Sequence, residues 1–172
     1  MHYAHLHGFT LVETLVALAV LALGVAGVAT TQVASARLHQ HAALASEAVQ
    51  LAASLGARMR VNASQMALPD AANPYLDFAY DAANGEPDPP PLHCFGGASC
   101  DPAGLAAFDL YETTRIVHAA FPGGRIAVCR DGGLVPGWDC TGAGGAPVVV
   151  KLGWRIPAAP EAVPFVTLVV AG

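Results

Sequence analysis

From Leu15 to Ala29 the chain carries no polar side chain, so a helix through this stretch is apolar on every face. Counted from Phe9, the apolar run covers 21 residues and is interrupted only by Thr10, Glu13 and Thr14. A helix needs about 20 residues to cross a bilayer. The 104 residues from Pro69 onward are too few to enclose a helix that is apolar all round, so a membrane-spanning helix is expected over 9–30. The pattern then changes. Leu44, Ala48, Leu51, Leu55 and Met59 recur at steps of three and four, with Glu47, Gln50, Ser54 and Arg58 on the other side. That spacing predicts an amphipathic continuation over 31–62. No proline precedes Pro69, so nothing breaks a single helix running from about Phe9 to Asn62.

A head is expected over 63–172. Residues 63–101 hold prolines at 69, 74, 87, 89, 90 and 91 among Asp and Asn, which reads as an irregular connection. Asp101-Pro102 then offers an N-cap and a first-turn proline, and Ala106, Leu110, Val117 and Phe121 follow at helical steps. A helix over about 102–121 is predicted, ended by Pro122-Gly123-Gly124. Val148, Val150, Leu152, Trp154 and Ile156 alternate with Val149, Lys151, Gly153 and Arg155, the mark of a strand with one buried face. Arg125–Arg130 and Phe165–Val170 supply two more strands. Three strands in an antiparallel sheet need a hydrophobic cover, and the amphipathic part of the long helix can provide it. The expected class is α+β.

Composition sharpens this division. The chain of 172 residues is 54% hydrophobic and 12% charged, with mean hydropathy +0.47, against about 25% charged residues in ordinary soluble domains. All 13 prolines and 14 of 18 glycines lie beyond residue 68. Residues 1–68 carry net charge +1 and the remainder −6, so the averages describe two parts in different surroundings. A net charge of −5 also disfavours nucleic acid as a partner, because neutralising many phosphates needs a basic face.

Gly8-Phe9-Thr10-Leu11-Val12-Glu13, followed directly by the apolar run, resembles the class III signal of type IV pilins and type II secretion pseudopilins. A secretory signal peptide fits less well, since its apolar region is about 7–15 residues and ends at a small-residue cleavage site. The resemblance implies that residues 1–8 form a leader, that prepilin peptidase cuts between Gly8 and Phe9, and that the new N-terminus is methylated. It also implies a pilin-like roll, with the N-terminal helix packed on a small sheet. Ala45-Ser46-Glu47-Ala48, Ala57-Arg58-Met59-Arg60-Val61-Asn62, Cys129-Arg130-Asp131 and Val149-Val150-Lys151-Leu152-Gly153-Trp154 further resemble the minor pilins called the type IV pilus modification protein PilV family. The implied role is a non-enzymatic minor pilin that primes or caps a type IV pilus. Its partners would be prepilin peptidase, the major pilin, other minor pilins and the inner membrane, with the head in the periplasm or at the pilus tip. The leader departs from the family pattern in carrying His2, His5 and His7 but no Lys or Arg, and no helix-breaking proline follows Gly24 and Gly27. Two alternatives remain: a minor pseudopilin of a type II secretion system, and a membrane-anchored periplasmic binding protein or enzyme.

The candidate residues have physical roles of their own. A carboxylate at Glu13 is costly in hydrocarbon and needs a partner. The Phe9 amine of a neighbouring subunit, freed by the cut, would supply one and would set the axial register between subunits. Four cysteines allow three pairings, and spacing favours Cys94 with Cys100 and Cys129 with Cys140. A zinc site would prefer paired spacings of two to four residues, which are absent, and an exported head sits in an oxidising compartment. No metal, cofactor or catalytic residue is expected. Gly142–Gly145 lacks the Gly-Lys-Ser/Thr of a phosphate loop, and the acids between Asp70 and Asp88 lack the alternating ligand spacing of a calcium loop. Asn62-Ala63-Ser64 matches a glycosylation sequon.

Overall fold

The computed structural model describes residues 10–76, 78–90, 93–133, 135, 137–156 and 163–171; Gly8 and Phe9 lie outside the described residues. Helix α1 runs unbroken over Leu11–Val61. The chain divides into two units, Met1–Ala43 and Leu44–Gly172, and the boundary falls inside α1. The last turns of α1 therefore belong to the head unit.

In the first unit the side chains of α1 are exposed on every face, the large ones Leu11, Leu15, Leu18, Leu21, Val25 and Val28 among them. This stretch is long and apolar enough to cross a membrane, and none of its most apolar window is buried within the chain. Its hydroxyls bond locally. Thr14, Thr30 and Thr31 donate to the carbonyls of Leu11, Gly27 and Val28, each at 2.8 Å. Satisfied in this way, they need no water, which suits a helix destined for lipid or for packing against other helices.

The second unit is a four-stranded antiparallel sheet with helices against it. After α1 the chain forms α2 (Ala63–Met66), β1 (Phe78–Asp81), α3 (Pro102–Ala120), β2 (Arg125–Arg130), β3 (Val148–Gly153) and β4 (Val166–Ala171), and the spatial order is β1-β2-β3-β4. The architecture is the α+β, pilin-like one: a long N-terminal apolar helix and a small antiparallel sheet. Asp101 caps α3 by accepting the Gly104 amide at 2.7 Å, with Pro102 at the first helical position. Ala48, Ala52, Leu55 and Met59 of α1 are fully buried in one core with Val117 of α3 and with Phe121, the residue that caps the end of α3. Val128, Val150 and Leu152 bring the sheet into the same core.

Two sequence expectations need correction. The connection over 63–101 is not wholly irregular, because it contains β1, a fourth strand paired from Phe78↔Val128 to Asp81↔Arg125. It has only four residues, and its alternation is too short to stand out among the prolines around it. The second correction is to β3, which was expected to bury one face. All six of its residues are buried, the outward-pointing Val149, Lys151 and Gly153 among them, because the segment after β2 folds back across it.

Gly56 sits where α1 meets β4. A Cβ there would stand 2.7 Å from both Cβ and Cγ1 of Val170, so the two elements approach as closely as they do only because the position has no side chain. Gly56→Val is expected to destabilise the head by about 1–3 kcal/mol through overpacking, despite removing a helix-interior glycine. Urea unfolding of the full chain in detergent, followed by circular dichroism, measures it.

Candidate functional site

The sequence singles out the start of α1. Thr10 precedes the first turn and behaves as its cap: the Glu13 amide donates to the Thr10 hydroxyl at 3.3 Å and to the Thr10 carbonyl at 3.1 Å. Glu13 is fixed in the first helical turn, where a carboxylate also suits the helix dipole, and it is exposed. Leu11, Val12 and Val16, which flank it along the helix, are themselves exposed. No described residue forms an ion pair with it.

In the head, both short cysteine loops are closed. Cys94 is bonded to Cys100 and Cys129 to Cys140, with Cα separations of 5.8 and 6.2 Å. No group of three or more potential metal-ligating side chains occurs among the described residues. His118 stands with its Nδ1 2.8 Å from the Tyr80 hydroxyl, which also donates to the Gly85 carbonyl at 2.8 Å. The sequon asparagine is not available on the folded head. Asn62 is 5% exposed, and its amide donates to the Pro102 carbonyl at 2.7 Å and to the Tyr75 hydroxyl at 3.3 Å.

Two polar clusters carry charge into the interior, and neither was evident from the sequence. The first links the end of α1 to α3. Arg58 reaches Asp109 and Glu112, each at 3.1 Å, and Tyr75 donates its hydroxyl to the other oxygen of Asp109 at 2.7 Å. Burial, and then this donation to a carboxylate, push the Tyr75 hydroxyl far above its ordinary range.

The second cluster holds Lys151, which is 1% exposed on the outward face of β3. Its ammonium pairs with Asp131 at 2.6 Å and donates to the carbonyls of Gly137 and Asp139, both at 2.7 Å. The three protons of the ammonium thus meet three acceptors. Asp131 in turn accepts the amides of Gly133 at 2.9 Å and Thr141 at 3.4 Å. The bond from Lys151, followed by that from the Gly133 amide, holds its carboxyl down at about 2. One signal could have revealed this cluster: Lys151 is the sole lysine in the chain, and it stands in a run of valines. For Asp109 the signal is weaker, a single acid on the apolar stripe of α3.

Residues 5–29 match the family model for the prokaryotic N-terminal methylation motif, a type IV pilin-like signal. No curated protein and no solved structure matches the chain.

Proposed function

We propose that the chain is a minor pilin of the PilV type. Prepilin peptidase cuts it between Gly8 and Phe9 and the Phe9 amine is methylated, after which it joins the major pilin and other minor pilins to prime or cap a type IV pilus. The observation that carries this reading is the methylation motif over residues 5–29 running into α1, whose most apolar window is unburied among the described residues. An all-round apolar helix with internally satisfied hydroxyls needs lipid or other helices around it, and subunit association supplies the latter once the helix leaves the inner membrane. The Glu13 carboxylate then finds its partner in the Phe9 amine of a neighbour. The head is displayed outside the inner membrane, where both disulfides are stable.

Mass spectrometry of the mature N-terminus tests this directly. The expected species begins at Phe9 and carries one added methyl group; an intact Met1, or a cut elsewhere, would sink the proposal. Glu13→Ala should be processed normally yet fail to enter sheared pili, and its incorporation at wild-type levels would remove the register role. Deletion should abolish pili and leave protein secretion intact, whereas loss of secretion alone would assign the chain to a pseudopilus.

A further inference from the structure

The outward face of β3 is covered by the segment that follows β2, through its described residues 131–133 and 137–141, and the Cys129–Cys140 bond ties this strap back to β2. Everything that makes Lys151 tolerable in the interior comes from this one strap: the Asp131 carboxylate and the carbonyls of Gly137 and Asp139. The strap is also seated by shape. Trp138 lies over Gly153, where a Cβ would come within 2.8 Å of the indole, and the Arg125 guanidinium stacks 4.3 Å from the indole ring centre. The end of the strap is pinned to its beginning by the Thr141 hydroxyl accepting the Gly132 amide and by the Thr141 amide meeting Asp131. Among the described residues, no acceptor for the ammonium comes from the sheet or from the helices.

We infer that the strap is a redox-controlled cover: the Cys129–Cys140 bond holds it closed over Lys151, and reduction releases it to expose the outer face of β3 while the rest of the head stays folded. Closing joins the two Sγ atoms. The cysteine pair gives up two electrons and two protons to a disulfide oxidant, which departs as a dithiol, and a dithiol reductant reverses the exchange. Cutting the bond removes the covalent closure of the loop, so that opening gains chain entropy against only the Thr141 hydrogen bonds and the Trp138 packing, and the ammonium exchanges its three acceptors for water once the face is open. The sheet is held by backbone pairing of β2 with β1 and with β3, in which the sulfur atoms take no part. Closure in an oxidising compartment would complete this face of the head only after export, but the lock itself is independent of the pilin reading.

The chain offers a clean probe, because Lys151 is its sole side-chain amine. Full-length protein in detergent micelles is treated with acetic anhydride before and after incubation with a dithiol. Acetylation is read from the mass of the peptide carrying Lys151, and amide exchange is followed in β1, β2 and α3. The expected result is acetylation of Lys151 about 10–100-fold faster after reduction, with the amides of β1, β2 and α3 still protected, as for a local opening. Cys129→Ser with Cys140→Ser should be fast without reductant, and Cys94→Ser with Cys100→Ser should stay slow. Lys151 remaining slow after both thiols are alkylated would overturn the inference. So would loss of protection throughout the head, or equal exposure on removing the Cys94–Cys100 pair.

Discussion

Asp131→Ala is expected to destabilise the head by about 3–5 kcal/mol, because it leaves the Lys151 ammonium in the interior without its counter-charge. Lys151→Met should cost much less, since methionine is apolar, flexible and of similar length and the Asp131 carboxylate keeps the amides of Gly133 and Thr141. The double variant should therefore be more stable than Asp131→Ala alone. Urea unfolding of the oxidised full chain in detergent, monitored by tryptophan fluorescence, separates the three. Acid provides an independent check. The Asp131 carboxyl sits at about 2 in the folded head, below the ordinary 3.8. A group depressed on folding adds stability that is complete above its unfolded value and is lost as pH falls toward its folded value. The wild type should therefore lose stability between about pH 4 and pH 2, and that loss should shrink in Asp131→Asn.

The two parts of the chain were legible in the sequence to different degrees. The apolar run at Leu15–Ala29 is a one-dimensional signal: it needs no partner in the chain to be read, and the helix that carries it is where the pattern placed it. The same holds for α3, whose Asp101-Pro102 start and Pro122 stop are local chemistry. What could not be read depends on contacts between distant segments. β1 exists because β2 lies beside it, not because Phe78–Asp81 is a strong strand sequence. Lys151 reads as the solvent side of an alternating strand, and only the return of the strap across β3 turns that side inward. The methylation motif was readable because processing enzymes recognise linear sequence. The charge networks were hidden because their partners are separated by 20 residues in one case and by 51 in the other.

The longer of these links is the second large effect. Asp109→Ala should cost about 3 kcal/mol, because the aspartate is 4% exposed and divides its two oxygens between Arg58 and the fully buried Tyr75. Removing it leaves the Tyr75 hydroxyl a buried donor without its carboxylate, whereas Arg58 keeps Glu112 at 3.1 Å and a path to solvent. Most of the loss should therefore trace to the tyrosine. Tyr75→Phe alone should cost about 1–2 kcal/mol, and combined with Asp109→Ala it should add little, a coupling of about 1–2 kcal/mol in a double-mutant cycle. Asp109→Asn, which still accepts from Tyr75 but no longer pairs with Arg58, should fall between wild type and alanine. Additive losses from the two single changes would show that the hydrogen bond between Tyr75 and Asp109 contributes nothing. In that case α1 would be held to α3 by the Arg58–Glu112 ion pair and the apolar core around Leu55 and Met59, with no contribution from the tyrosine.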